Sequence, residues 1–209
     1  MGTVLLNITV SLDGFVAGPG VGIERPMGEG GERLHEWLFN DDADRDVDAG
    51  VHRELSASTG AVVVGRRTFD VGVGLWKDTP FPVPCFVLTH EDREELPMKS
   101  GTFTFVSDSL ESAIRQARKA AKEKDVLVMG GADIAGQLVR AGLVDEIQLQ
   151  LAPVLLGAGT RLFDHPGGDR VELERTGLAG SARVTHLRFR VVRQGVGAAP
   201  TGVPHVFGF

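Results

Sequence analysis

A chain of 209 residues is long enough to build one sizeable core without disulfides or metals, and its net charge of −6 argues against a general nucleic-acid binder. The single cysteine, Cys85, excludes an intramolecular disulfide framework and the zinc sites built on paired cysteines, so no metal site is predicted. No apolar run approaches the roughly 20 residues needed to span a bilayer, and the first residues lack the basic region of a signal peptide. A cytoplasmic protein without membrane or nucleic-acid partners is expected.

Short runs rich in β-branched and aromatic residues predict strands, and longer amphipathic segments between several of them predict helices. The predicted strands cover residues 4–10, 61–64, 86–89, 103–106, 125–129, 146–152, 171–178 and 182–192. The predicted helices cover residues 32–39, 51–58, 108–122 and 132–141. Strands alternating with helices imply an α/β fold with a mainly parallel sheet covered on both faces. The last two strands predict an antiparallel C-terminal hairpin.

Two segments lack a predicted helix or strand. Residues 18–31 contain six glycines and two prolines, so this long connection is expected to be either functional or mobile. Residues 195–209 are also rich in glycine and proline, and their composition predicts flexibility. We therefore predict one domain over residues 1–194, followed by a tail over residues 195–209.

Two acidic segments receive structural interpretations. Asp108-Ser109-Leu110-Glu111 has the spacing of a capping box, which predicts a helix start at Asp108. The aspartates that alternate over residues 41–48 lack the glycine and the closing glutamate of an EF-hand loop. A solvated helix start is predicted there instead of a calcium site.

Three predicted strands end in residues that suit a phosphate, and ligands in parallel sheets bind outside the carboxyl ends of the strands. Gly65-Arg66-Arg67-Thr68 offers two guanidiniums and a hydroxyl for a phosphate monoester. Gly130-Gly131 precedes a helix whose free N–H groups favour an anion, although Asp133 repels one. Thr89 follows a third strand. Solvated arginines and ordinary glycine turns are common alternatives for each pattern alone, but their combination predicts a dinucleotide phosphate site.

These motifs stand in a recognisable order. The segments Ser11-Leu12-Asp13-Gly14-Phe15-Val16-Ala17, Val64-Gly65-Arg66-Arg67-Thr68-Phe69, Leu88-Thr89 and Val128-Met129-Gly130-Gly131 together resemble the dihydrofolate-reductase-like superfamily. The stretch that continues through Ala152-Pro153-Val154-Leu155-Leu156-Gly157 is most similar to the reductase domain of bacterial riboflavin biosynthesis and its stand-alone relatives. The resemblance covers about residues 3–193. It implies a dihydrofolate-reductase-like fold, a reductase activity and NADPH as the cofactor.

The resemblance also implies cofactor-binding roles for individual residues. Thr9 and Ala17 would approach the nicotinamide carboxamide through their backbone, and the segment over residues 18–31 would match the mobile loop that covers the nicotinamide. Arg66 would lie near the 2′-phosphate, where Thr89 would help it select NADPH over NADH. The adenosine phosphates would contact Gly65, Arg66, Arg67 and Thr68, and the pyrophosphate would contact Gly130, Gly131, Ala132, Asp133 and Ile134.

Reduction of C=O or C=N needs a proton as well as a hydride. Dihydrofolate reductases carry a proton-relaying carboxylate on the first helix, and Glu36, beside Trp37, is its nearest counterpart here. Glu36 equally fits the exposed face of an amphipathic helix, in which case water is the expected proton source. Asp13 is the second acidic residue near the expected nicotinamide, although Asp-Gly also makes a tight turn by side-chain hydrogen bonding.

The predicted activity is NADPH-dependent reduction of a C=O or C=N bond in a small heterocyclic or sugar-derived substrate, of the 5-amino-6-(5-phosphoribosylamino)uracil reductase type. The riboflavin reductases often carry a glutamate where this chain has Met129, and their Asp-Asp-Pro motif is not visible in residues 18–31. Two alternatives therefore stay open: a dihydrofolate-type reductase and a non-catalytic dinucleotide- or flavin-binding module.

A homodimer is the expected assembly. Relatives of this kind are commonly dimers, and four apolar residues near a predicted sheet edge could pair with a second subunit: Leu149, Leu151, Val154 and Leu155. Packing into the core of the same subunit would explain these residues equally well.

Overall fold

A computed structural model describes residues 2–39, 47–164 and 170–192 of the protein. In chain order the strands are β1 (Val4–Ser11), β2 (Phe15–Ala17), β3 (Thr59–Gly65), β4 (Cys85–Leu88), β5 (Leu96–Pro97), β6 (Thr102–Val106), β7 (Asp125–Val128), β8 (Glu146–Ala152), β9 (Thr160–Arg161), β10 (Glu172–Gly180) and β11 (Thr185–Val192). The helices are a 3-10 helix (Gly31–Leu38), α1 (Val47–Ser58), α2 (Arg66–Trp76), α3 (Leu110–Ala121) and α4 (Ala132–Arg140).

Nine of the described strands form one mixed sheet in the order β10-β11-β8-β1-β7-β3-β4-β6-β5. The strands from β8 to β6 in this order are parallel to one another. The C-terminal hairpin of β10 and β11 is antiparallel, as is β5. The predicted fold class is confirmed. Since β7 lies between β1 and β3, the chain reverses its strand order there, and open α/β sheets bind ligands at such a point.

The central strands are apolar on both faces because helices cover both. Along β3, Ala61 and Val63 belong to the core beneath α3 and α4, whereas Val62 and Val64 belong to the core beneath α1 and α2. A strand buried on both faces has no polar alternation, which is why short β-branched runs sufficed to predict these strands. Cys85 lies in the second core, and burial raises the pKa of its thiol to about 12, which makes it a packing residue.

Two helices differ from the sequence prediction, one of them absent from it and the other starting at a later residue. The helix α2 is absent from the predicted elements, and two glycines, Gly72 and Gly74, interrupt its apolar pattern. The capping residue of α3 is Ser109 and not Asp108, since the Ser109 hydroxyl accepts a hydrogen bond of 3.0 Å from the backbone N–H of Ser112. The predicted helix start at Asp108 was therefore one residue early.

The glycine-rich segment over residues 18–31 has no helix or strand before Gly31, as predicted. It is held by its own backbone hydrogen bonds, including Gly18 N–H to Met27 carbonyl (2.9 Å) and Glu29 N–H to Pro19 carbonyl (2.8 Å). The segment is thus a compact loop that returns on itself. Its mobility stays a prediction.

Part of the acidic run lies outside the described residues, but its last member is placed. Asp48 is buried at the start of α1, with its carboxylate 2.8 Å from Nε2 of His186 and 2.8 Å from the hydroxyl of Ser181. The prediction of a solvated helix start is wrong for Asp48. The carboxylate is buried because partners on the C-terminal hairpin satisfy its oxygens.

The prediction that Leu149 and Leu151 lie near an edge of the sheet is also wrong. The strand β8 lies between β1 and β11, and Leu149 and Leu151 pack against the main core. The outer strand on this side is β10. In the described part of the chain no helix is both long and apolar enough to cross a membrane. The predicted tail over residues 195–209 lies outside the described residues.

Candidate active site

The carboxyl ends of the parallel strands open into one cavity of about 1260 Å³. This volume exceeds the roughly 300–1,000 Å³ typical of a pocket for a single small ligand. The predicted cofactor-binding residues that line it are Thr9, Ala17, Gly65, Arg66, Arg67, Thr68, Thr89, Gly131, Ala132, Asp133 and Ile134. Gly130 is the one predicted cofactor-binding residue outside the lining. The fold therefore brings separate segments of the chain to one space.

The two glycine motifs are direct neighbours at the cavity wall. The backbone N–H of Gly65 donates a hydrogen bond of 2.8 Å to the Gly130 carbonyl, and the peptide between Gly130 and Gly131 is cis. Gly65 precedes α2 and Gly131 precedes α4, and no described side chain caps either helix. The free N–H groups of two helix starts therefore suit phosphate oxygens. Asp133 is exposed and accepts a hydrogen bond of 2.7 Å from Gln137.

Gly131→Ala is expected to weaken binding of both NADPH and NADH roughly tenfold while changing the melting temperature little. A Cβ on Gly131 would lie 3.3 Å from the hydroxyl at the tip of the partly exposed Thr68 side chain, and it would narrow the approach of a phosphate to the α4 start. Gly130→Ala is the contrasting variant, because Gly130 has a φ of +92° and alanine there should destabilise the fold. Calorimetric titration and thermal unfolding of both variants check this. Normal dinucleotide binding by Gly131→Ala would contradict the prediction and would mean that Gly130-Gly131 is an ordinary turn.

Arg66 is held at the start of α2 by three side chains. Its Nε donates to both carboxylate oxygens of Asp70 at 2.8 and 2.9 Å. Its Nη1 donates to Glu91 at 2.6 Å and to the Thr89 hydroxyl at 3.5 Å. The hydrogen bond that Arg66 donates to Glu91, followed by those that it donates to Asp70, raises the pKa of Arg66. The predicted pairing of Arg66 with Thr89 is thus present in the geometry, and two carboxylates join it.

Arg67 points to a different part of the cavity. Its Nη2 donates a hydrogen bond of 3.3 Å to the carbonyl of Val21, which lies in the loop over residues 18–31. Val21, Pro26 and Met27 of that loop also line the cavity. The loop therefore covers one side of the cavity and is joined to α2 by Arg67.

Hydrogen exchange of the backbone amides in residues 18–31 is expected to slow when NADPH binds, because the loop would close over the ligand. Arg67→Ala should lessen this protection, since the link to Val21 is lost. Amides of the distant hairpin strand β10 serve as the internal control. Exchange that is equal with and without NADPH would make the segment an ordinary surface loop.

Asp13 has a structural role at the end of β1. Its carboxylate accepts hydrogen bonds from the Ser11 hydroxyl (2.5 Å) and from the backbone N–H groups of Leu156 (3.1 Å) and Gly157 (2.7 Å). The Ser11 hydrogen bond, followed by those from the backbone, lowers the pKa of Asp13 to about 2. A carboxylate that is ionised at neutral pH is no proton donor, and Asp13 does not line the cavity. The prediction that Asp13 is catalytic does not fit this geometry.

Asp13→Asn is expected to lower the melting temperature at neutral pH by a few degrees, since a charged acceptor of backbone N–H groups is lost. The folded pKa of about 2 lies below the ordinary 3.8, so the ionised carboxylate stabilises the fold above pH 3.8. That contribution is lost as the pH falls toward 2. Thermal unfolding between pH 7 and 2 should show a weaker acid dependence in Asp13→Asn than in the wild type. Asp164→Asn, a substitution of an exposed aspartate, is the control. The same dependence of the melting temperature on pH in Asp164→Asn and Asp13→Asn would contradict the prediction.

The prediction that Glu36 reaches the cavity is wrong. The Glu36 side chain is 55% exposed and forms an ion pair of 3.2 Å with Arg33. The segment is a 3-10 helix with three residues per turn, so residues three apart share a face. Leu34 and Trp37 are therefore buried together, while Arg33 and Glu36 face outward.

The third face of the 3-10 helix lines the cavity with Glu32, His35 and Leu38. The Nδ1 of His35 is buried and has no hydrogen-bond partner in the described part of the chain. Burial lowers the pKa of His35 below its ordinary 6.5, so the imidazole is neutral at pH 7. The neighbouring Trp37 donates a hydrogen bond of 3.3 Å from Nε1 to Thr9, which ties this helix to β1. The sequence pattern did not predict His35 as a site residue, because only the acidic residues Glu36 and Asp13 were considered as proton donors.

The far end of the cavity, between α1 and α2, is apolar and aromatic. His52 and Phe81 stack with their ring centroids 6.3 Å apart, and Trp76 and Leu55 also line this end. Both tryptophans of the chain, Trp37 and Trp76, line the cavity. The cavity thus has one end suited to phosphates and one suited to a flat apolar ring.

Comparison with known proteins identifies relatives of this fold. The family model of the RibD C-terminal domain matches residues 2–187. The uncharacterized protein YyaP of Bacillus subtilis is 26% identical over 172 residues, which are 77% of this chain and 79% of that protein. A structure from Shewanella sp. PV-4, named as a candidate riboflavin biosynthesis protein, has a TM-score of 0.68 at 20% identity and covers 91% of this chain and 99% of its own.

A more distant structural relative is dihydrofolate reductase from Enterococcus faecalis in complex with NADP(H), with a TM-score of 0.58 at 16% identity. It covers 91% of this chain and 96% of its own. The fold resemblance to both groups is confirmed, and the family model spans most of the chain. The chain belongs to the RibD C-terminal domain family.

Proposed function

We propose that this protein is an NADPH-dependent oxidoreductase that reduces a C=O or C=N bond of a small heterocyclic substrate, as in riboflavin-type reduction. The observation that carries the proposal is the convergence of Arg66, the Gly130-Gly131 turn and an aromatic pocket on one cavity. A dinucleotide and a second ring need such a space. The bound NADP(H) of the Enterococcus faecalis relative supports the choice of cofactor.

Each end of the cofactor has residues that fit it. Arg66 and Thr89 would hold the 2′-phosphate, and the backbone N–H groups at the α4 start would hold the pyrophosphate. Thr9 and Ala17 would position the nicotinamide carboxamide through their backbone. NADPH, when bound, supplies the hydride to the carbon of the bond that is reduced.

His35 takes the place that Glu36 was predicted to hold. A neutral imidazole carries one N–H donor, which can polarise a C=O or C=N bond and stabilise the negative charge that develops on its oxygen or nitrogen. His35 lines the cavity, and its Nδ1 has no hydrogen-bond partner in the described part of the chain. We propose that His35 donates this hydrogen bond and that water supplies the proton.

The aromatic end of the cavity favours a heterocycle over a sugar phosphate as the reacting group. Among the described lining residues, both arginines, Arg66 and Arg67, belong to the cofactor end. The stacked pair of His52 and Phe81, with Trp76 nearby, offers ring faces instead.

Steady-state oxidation of NADPH against a panel of pteridines and ribityl-pyrimidines, with and without a phosphate, tests the proposal. Turnover of a pyrimidine identifies a riboflavin-type reductase, and turnover of a dihydropteridine identifies a dihydrofolate-type reductase. Quenching of the Trp37 and Trp76 fluorescence reports binding separately from turnover. Nucleotide binding without turnover of any member would favour a non-catalytic binding module and contradict the enzymatic proposal.

A homodimer and a cytoplasmic location complete the proposal. The outer strand β10 leaves Leu173 and Leu178 exposed, and such an edge can pair with a second copy. Light scattering of the purified protein measures the assembly, and a monomeric mass would reject the dimer.

A further inference from the structure

The position of Glu91 bears on which dinucleotide the site prefers. Arg66 is the cation that we propose to bind the 2′-phosphate, and it is paired with two carboxylates, Asp70 and Glu91. One guanidinium therefore faces two negative charges before any phosphate arrives. A site selective for NADPH needs positive charge at this point.

The two carboxylates hold different edges of the guanidinium. Asp70 lies one helical turn beyond Arg66 on α2 and accepts from Nε, so it fixes the direction of the side chain. Glu91 follows β4 and accepts from Nη1 at 2.6 Å, next to the Thr89 hydroxyl. A phosphate that binds Arg66 Nη1 and the Thr89 hydroxyl together would meet the Glu91 carboxylate there.

The Glu91 side chain is 67% exposed, whereas that of Arg66 is 31% exposed. The hydrogen bond from Arg66, followed by its positive charge, lowers the pKa of Glu91, so the carboxylate is charged throughout the physiological range. A bound 2′-phosphate would meet this charge at close range, and like charges at close range repel.

We propose that Glu91 is a specificity-determining residue that competes with the cofactor 2′-phosphate for Arg66 and thereby narrows the preference for NADPH over NADH. The inference rests on the proposed cofactor role of this cavity. NADH has a ribose 2′-hydroxyl in place of the phosphate, and a carboxylate accepts a hydrogen bond from such a hydroxyl. Glu91 thus disfavours one dinucleotide and tolerates the other.

Glu91→Gln removes the charge and keeps the shape and an acceptor oxygen. Calorimetric titration should show the Kd for NADPH falling about tenfold, because the phosphate no longer displaces or faces a charged group. The Kd for NADH should change less than about twofold, since the amide oxygen still accepts from a hydroxyl. Glu94→Gln is the matched control, because Glu94 carries the same charge three positions later and does not line the cavity.

The same titrations of Glu91→Gln in an Arg66→Ala background distinguish competition between Glu91 and the phosphate for Arg66 from repulsion of the phosphate by a distant charge. If Glu91 acts through Arg66, the gain in NADPH affinity from Glu91→Gln should shrink when Arg66 is absent. A gain that persists in full there overturns the competition, as does an unchanged ratio of NADPH to NADH affinity. Weaker NADPH binding by Glu91→Gln also overturns it, because Glu91 would then orient Arg66 for the phosphate.

Failure of the proposed function gives a different result. A wild-type protein that binds neither dinucleotide overturns the cofactor site and the inference with it. A wild-type protein that binds NADPH, with a preference that Glu91→Gln leaves unchanged, overturns the inference alone. Melting temperatures of all variants show that each affinity refers to folded protein.

Discussion

Arg66→Ala should weaken NADPH binding by about 1.5–3 kcal/mol and leave NADH binding nearly unchanged. The guanidinium offers a fixed fork of donors to a phosphate monoester, and NADH lacks that phosphate. The loss corresponds to a Kd about 10- to 150-fold higher for NADPH. Titration of the purified variant with each dinucleotide measures both values.

The control for this variant is Arg67→Ala. Arg67 donates to the carbonyl of Val21 in the covering loop, so its removal should affect both dinucleotides alike. Equal losses of affinity for NADPH and NADH in Arg66→Ala would contradict the assignment of Arg66 to the 2′-phosphate. A loss specific to NADPH in both variants would indicate a shared arginine cluster.

His35→Phe should lower kcat about 10²–10³-fold once a substrate is known, while the Kd for NADPH stays close to that of the wild type. Phenylalanine keeps a ring beside Trp37 but removes the N–H that we propose to face the reacting bond. His35→Gln retains a donor and should recover part of the rate. The effect should appear in kcat more than in KM, because the negative charge develops in the transition state.

Glu36→Gln is the matched control for His35. Glu36 lies on the outward face of the same 3-10 helix and pairs with Arg33, so its substitution should leave kcat unchanged. A large loss in Glu36→Gln together with a normal rate in His35→Phe would restore the carboxylate mechanism. Normal rates in both variants would leave bound water as the sole polar partner of the substrate.

Local sequence determined most elements of the fold and most of the cofactor-binding residues of the candidate site that were predicted to line the cavity. Runs such as Val62-Val63-Val64 form strands because two helix layers bury both of their faces, and the composition of such a run is enough to show this. Glycines and arginines at strand ends predicted that Gly65, Arg66, Arg67 and Gly131 meet at one edge of the sheet, since parallel strands direct their carboxyl ends to that edge. The positions of Thr9 and Ala17 followed from the family resemblance, and the aromatic lining was not predicted.

Tertiary structure decided the features that depend on distant partners or on helix geometry. The carboxylate of Asp48 is buried because His186 and Ser181, far along the chain, satisfy it. Glu91 reaches Arg66 only because β3 and β4 are adjacent in the sheet.

The 3-10 helix is the clearest case of a feature that depends on helix geometry. Apolar spacing showed that a helix begins near residue 31, but it did not distinguish three residues per turn from 3.6. With about 120° per residue instead of about 100°, Leu38 shares the face of Glu32 and His35, whereas in an α-helix it would share the face of Leu34 and Trp37. Either geometry buries Leu34 and Trp37 and exposes Glu36, and the face that lines the cavity carries Glu32, His35 and Leu38. Apolar spacing determined that residues 32–39 form a helix, and packing against β1 decided which of its side chains line the cavity.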